Sequence, residues 1–161
     1  MMHSWFECKI KYEKTMENGM VKKVNEPYLV DALSFTEAEA RILEEITPFM
    51  TGEFQVSDIK RANYSELFDF GDGDRWYKCK VQFITLDEKS GAEKKTSTLM
   101  LVKAGDLREA VRNLDEGMKG TMADYVIASV METALMDVYP YSSEANDKPE
   151  FPDAGKGGSE A

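Results

Sequence analysis

Two short stretches of the sequence place a tryptophan at the head of a row of lysines: "WFECKIKY" (5–12) and "WYKCKVQF" (76–83). In an extended strand successive side chains point to opposite faces. Phe6, Cys8, Ile10 and Tyr12 then share one side, and Trp5, Glu7, Lys9 and Lys11 share the other. In the second stretch Tyr77, Cys79, Val81 and Phe83 form the apolar side, and Trp76, Lys78, Lys80 and Gln82 lie opposite. Lys22, Lys23, Lys94 and Lys95 sit on the strands that follow, in a register the sequence does not define. Indole rings stack on bases at about 1–3 kcal/mol per base, and ammonium groups neutralise phosphates. Trp5, Lys9, Lys11, Lys22, Lys23, Trp76, Lys78, Lys80, Lys94 and Lys95 are therefore the candidate contacts for single-stranded DNA or RNA. The plainer reading is that the lysines solvate and guard strands, while the tryptophans seal the core or pack the two halves together.

Other chemistry finds little support. His3 is the only histidine, so no nucleophile–His–acid set can be assembled away from the N-terminus. Cys8 and Cys79, the only cysteines, fall in strand-like stretches and read as buried thiols rather than a disulfide or zinc framework. "GDGD" (71–74) resembles half of a calcium loop, but Arg75 and Trp76 stand where the rest of the loop should run. No glycine-rich phosphate cradle occurs. The expectation is a protein without catalytic activity, cofactor or metal.

The elements that must hold these residues occur twice. Trp, aromatic, Cys, Lys and aliphatic residues recur in order in both stretches, and the correspondence continues beyond them. Lys22-Lys23 matches Lys94-Lys95; Leu29, Val30 and Ala32 match Leu101, Val102 and Ala104; Phe35 and Ala38 match Leu107 and Ala110. Further on, Phe54, Val56 and Ile59 match Tyr125, Ile127 and Val130. Each half reads as a strand, a glycine-bearing loop and a second strand (about 21–32 and 94–104). A helix follows, opened by a capping box: Ser34 with Glu37, Asp106 with Glu109. A final extended stretch closes each half, about 53–68 and 124–139. "YVIASVMETALMDVY" also fits helical spacing, and its counterpart "FQVSDIKRANYSELF", poor in helix formers, favours strand.

The fold class expected is α+β: an internally duplicated β-β-α-β unit, antiparallel sheet with helices packed on one face. Residues 1–141 form a single domain of two repeats, 5–70 and 75–141. The stretch 142–161, rich in Gly, Pro and acidic residues, reads as a disordered tail. The 161 residues carry a net charge of -10, so a basic patch would have to be local. No apolar run is long enough for a transmembrane helix and no secretory leader is visible, which points to the cytoplasm.

The words "WFECKIKYEKTMENG", "EPYLVDALSFTEAEARI", "DIKRANYSE", "RWYKCKVQFITLDEKSGAEKKTS" and "LDEGMKGTMADY" resemble a family of small uncharacterised proteins. That family, a domain of unknown function, is carried by Bacteroides-type gut bacteria and their phages. The resemblance covers about residues 4 to 141 and excludes the tail. It implies a soluble protein of a bacterium, phage or mobile element, and brings no catalytic residues with it.

Two functions follow as expectations. The first is non-enzymatic single-stranded nucleic-acid binding through the residues named above. The alternative is a protein-interaction adaptor or inhibitor with no nucleic-acid affinity, using methionines such as Met118, Met122, Met131 and Met136 as an adaptable contact surface. A homodimer joined through sheet edges is compatible with both.

Overall fold

The computed structural model describes residues 3–71 and 73–140, so the acidic tail at 142–161 lies outside the described residues. The element order is β1 (Ser4–Thr15), β2 (Val21–Ala32), α1 (Phe35–Ile46), β3 (Phe54–Ala62), β4 (Tyr64–Phe68), β5 (Arg75–Leu86), β6 (Glu93–Ala104), α2 (Leu107–Gly117), β7 (Asp124–Glu132) and β8 (Val138–Tyr139). The order β-β-α-β-β therefore runs twice. The chain divides into two compact units. Unit 1 runs to Ala62 and resumes at Met136; unit 2 runs from Asn63 to Leu135.

In each unit an antiparallel hairpin supplies the two central strands. β1 and β2 pair from Ser4↔Ala32 to Thr15↔Val21, and β5 and β6 from Arg75↔Ala104 to Leu86↔Glu93. The alternation seen in the sequence decides which face meets the helix. Phe6, Cys8, Ile10, Val30 and Ala32 pack with Ala38, Ile42 and Ile46 of α1. Tyr77, Cys79, Val81, Met100, Val102 and Ala104 pack with Ala110, Leu114 and Met118 in and after α2. Each large side chain fully buried this way stabilises by about 1.5–3 kcal/mol.

Both helices begin as the sequence predicts. The Ser34 hydroxyl accepts from the Glu37 amide at 3.1 Å, and the Glu37 carboxylate accepts from the Leu33 amide at 2.6 Å. In unit 2 Asp106 accepts from the Glu109 amide at 2.8 Å and Glu109 from the Gly105 amide at 2.5 Å. These contacts satisfy amides that have no partner inside the helix. One further bond recurs between the helices and their sheets. Arg41 of α1 donates to the Asp31 carbonyl, and Asn113 of α2 donates to the Lys103 carbonyl at 3.0 Å.

The stretches read as single closing strands are each two strands. β3 pairs antiparallel with β1, and β7 with β5. After β3 only Asn63 intervenes before β4, which runs parallel to β6 with Leu67 beside Leu101 and Phe68 beside Val102. After β7 the chain reaches β8, which runs parallel to β2 with Leu29 beside Val138. The sheet orders are β3-β1-β2-β8 and β4-β6-β5-β7. The last strand of each sequence repeat thus lies in the sheet built by the other repeat. It covers the edge of β6 or β2 that would otherwise stay open, which is why the chain breaks there. Arg41 secures β8 by donating to the carbonyls of Tyr139 (3.5 Å) and Pro140 (3.1 Å).

Two glycines permit close approaches in unit 2. Gly73 precedes β5 at φ 81°, and a Cβ there would sit 2.1 Å from the carbonyl carbon of Ala104. A Cβ on Gly117 would sit 2.6 Å from the Phe68 ring. The turn of β4 against α2 therefore needs a residue without a side chain at this position.

Candidate functional site

The strand pairings fix where each candidate side chain falls, because directly paired residues share a face. In unit 1 the face away from α1 carries Trp5, Glu7, Lys9 and Lys11 of β1. Trp5 is half-buried between Asp31 and Ala62. Glu7 lies beside Lys60, Lys9 beside Asp58, and Glu13 beside Lys23. The lysines Lys9, Lys11, Lys23 and Lys60 are thus interleaved with Glu7, Glu13, Asp31 and Asp58. This face is charge-balanced among the paired residues. Lys22 falls on the other side, opposite Lys14.

Unit 2 differs. On the face away from α2, β5 carries Trp76, Lys78, Lys80, Gln82, Ile84 and Leu86. β6 sets Lys103 opposite Trp76, Leu101 opposite Lys78, Leu99 opposite Lys80, Ser97 opposite Gln82 and Lys95 opposite Ile84. β7 adds Met131 beside Lys78, Ser129 beside Lys80, Val126 beside Gln82 and Asp124 beside Ile84. Lys78, Lys80, Lys95 and Lys103 are opposed on these strands by Glu93 and Asp124 alone, so the face is cationic. Lys94 falls on the α2 side, opposite Thr85.

The expectation that the Trp76 indole faces water is corrected. Trp76 is 4% exposed. The Trp76 carbonyl accepts from both the amide and the hydroxyl of Thr133, each at 2.8 Å, which extends the β5–β7 pairing one residue beyond Glu132. The Lys103 ammonium lies 5.7 Å from the ring centre, so a lysine occupies the position a base would take. Leu101 on the same face is fully buried. Strand parity put Trp76 on the correct face, but that end of the face is covered. A stacking role for Trp76 has no surface to act from.

The accessible part of this face lies toward Lys78, Lys80 and Lys95, all exposed. Beside them Leu86 is 68%, Met131 57% and Val126 41% exposed. Leu86, Val126 and Lys103 were absent from the candidate residues. Period-2 reading of β6 places Lys103 with Lys95, whereas the β7 residues join the face only through the pairing with β5. Of the methionines, Met118 is core and Met122 and Met136 are exposed outside the strands.

No group of three or more His, Cys, Asp or Glu side chains is placed to hold a metal among the described residues. His3 sits 3.3 Å from the Asp31 carboxylate at the exposed start of β1. Burial pushes the Cys8 thiol up to about 12 and the Cys79 thiol up to about 11, which keeps both protonated and inert at neutral pH. A groove of about 620 Å³ in unit 1 is lined by Lys11, Tyr12, Lys23, Glu53 and Phe54 among others. The Tyr12 hydroxyl there donates to Glu26 at 2.9 Å, and its pKa is pushed up to about 12 by burial and then by Glu26.

No helix among the described residues is long and apolar enough to cross a membrane. No curated protein and no solved structure matches the chain. A family model matches residues 4–141, almost the whole of the described chain, and on that ground the chain belongs to the family described as a domain of unknown function, DUF4494.

Proposed function

We propose that the chain is a non-enzymatic protein-interaction module, an adaptor or inhibitor, that binds through the face of unit 2 opposite α2. The observation that carries this reading is the mixture on that face. Exposed Lys78, Lys80 and Lys95 stand beside exposed Leu86, Val126 and Met131, and the row's one aromatic residue on β5, Trp76, is buried. Aliphatic side chains gain from burial against apolar side chains and give a base nothing to stack on. The partner chemistry that fits is an acidic polypeptide segment with apolar residues between its carboxylates. The setting, the cytoplasm of a gut bacterium or of a phage-infected host, rests on the resemblance of the quoted words.

A second reading, single-stranded nucleic acid held along Lys78, Lys80 and Lys95, is favoured by the excess of lysine on this face. One experiment separates the two. Labelled peptides in which Glu alternates with Leu, and labelled oligonucleotides, are titrated at low and moderate salt against the native chain and Lys78→Glu/Lys80→Glu. Peptide binding lost in the variant, without oligonucleotide binding, supports the protein partner. Oligonucleotide binding whose log K falls with log salt at a slope of about -2, as three phosphate contacts on a single strand require, moves the assignment to nucleic acid. Binding of either ligand that is unchanged in the variant overturns this face as the site.

A further inference from the structure

β7 is the open edge of its sheet: β5 pairs with one side, and no strand among the described residues pairs with the other. Its sequence "DYVIASVME" holds no lysine, arginine or proline. The other edge strands are protected differently. β3 carries Asp58, Lys60 and Arg61, while β4 and β8 are short. Charged residues and shortness are the usual guards against edge-to-edge pairing, and β7 has neither along its middle.

We propose that β7 pairs antiparallel with β7 of a second copy of this chain, about a two-fold axis between Ala128 and Ser129. The argument is the β-bulge. Pairing with β5 steps from Lys80↔Ser129 to Val81↔Ile127, which leaves Ala128 as the extra residue. Before the bulge Tyr125 and Ile127 face α2 and Val126 faces away. After it Val130 and Glu132 face α2, and Ser129 and Met131 face away. A two-fold antiparallel pairing sets residues before the bulge of one copy against residues after the bulge of the other. With this axis Val126 meets Met131, Ile127 meets Val130, Tyr125 meets Glu132 and Asp124 meets Thr133. Every facing pair then shares a face, the exposed Val126 and Met131 cover each other twice, and no two carboxylates oppose. Slipping by one residue sets Asp124 against Glu132 and mismatches the faces. Slipping by two sets Asp124 against Met131 and Val126 against Ser129. The pairing joins two lysine-bearing faces across a Val126–Met131 stripe: it takes Val126 and Met131 into the seam and leaves Lys78, Lys80, Lys95 and Leu86 of each copy exposed to the partner proposed above.

The test is the mass in solution, by light scattering over a range of concentrations. The native chain is expected at twice its monomer mass, and Val126→Lys/Met131→Lys at the monomer mass with unchanged circular dichroism. The register is read separately. Val126→Cys/Met131→Cys, oxidised with glutathione disulfide, is expected to give a covalent dimer, and Val126→Cys alone is not. On one strand these positions are about 17 Å apart, too far for a bond within a chain. A native chain that is monomeric at every concentration overturns the proposal and leaves the binding face standing. So does a dimer that survives the lysine substitutions, or cross-linking by Val126→Cys alone as efficient as by the pair.

Discussion

Replacing Gly117 by alanine sets two effects of opposite sign against each other. Gly117 is the last residue of α2, and alanine gains up to about 1 kcal/mol over glycine in a helix. The added Cβ, however, would lie 2.6 Å from Cδ1 of Phe68 and 2.7 Å from its Cγ and Cε1. Carbon atoms pack best at about 3.5–4.0 Å, so the ring or the helix end must retreat by roughly 1 Å. Phe68 is not free to do so. It is held in β4 beside Val102 and stacked on Phe70 at 6.3 Å. Overpacking of this size costs about 1–3 kcal/mol, and the net expectation is a loss of about 1–2 kcal/mol. Urea denaturation measures it as a lower midpoint at unchanged slope. In Gly117→Ala/Phe68→Leu the clash is relieved, so the double variant should be more stable than the two single losses added together. A Gly117→Ala protein that is more stable than the native one would refute the reasoning, because it would mean that β4 does not lie under α2.

Two other perturbations follow from the cores. Both thiols are fully buried with pKa values raised by that burial, so at pH 8 they should react with a disulfide reagent only as fast as the chain unfolds; rapid labelling of either would contradict the packing. The unfolded chain releases these protons from about pH 9 upward while the folded chain retains them, so the thiol contribution is constant below pH 9 and is lost as pH rises toward 11 and 12. Asn113→Ala leaves the Lys103 carbonyl without its side-chain donor and should cost about 1–3 kcal/mol by thermal or chemical denaturation, and a change within error would show that the bond is unimportant.

The local features were legible and the non-local ones were not. Ser34 with Glu37 and Asp106 with Glu109 mark the helix starts because each capping box lies within one turn of chain. The Phe6–Cys8–Ile10 and Tyr77–Cys79–Val81 rows mark their core faces because a strand alternates strictly. The β7 segment reads as strand rather than helix through Tyr125, Val126, Ile127 and Val130, whose β-branched or aromatic side chains suit a pleated surface. The break at Asn63 gave no such signal, since what ends β3 and starts β4 is an edge of β6 supplied by distant sequence. The burial of Trp76 was hidden for the same reason: parity assigns a face, while neighbours from other strands, such as Lys103 over the ring, decide whether that face is open. The sequence left the register of Lys22 and Lys23 undefined, and pairing with Lys14 and Glu13 puts them on opposite sides of the sheet.

Exchange of the last strand between sheets determines which edges are covered and which remain free to bind. Nuclear Overhauser contacts between strands measure it most directly. Parallel contacts linking Leu67 to Leu101, Phe68 to Val102 and Val138 to Leu29 are the expected result. Contacts that instead pair 64–68 with β1 or β2, or 138–139 with β5 or β6, would contradict the account.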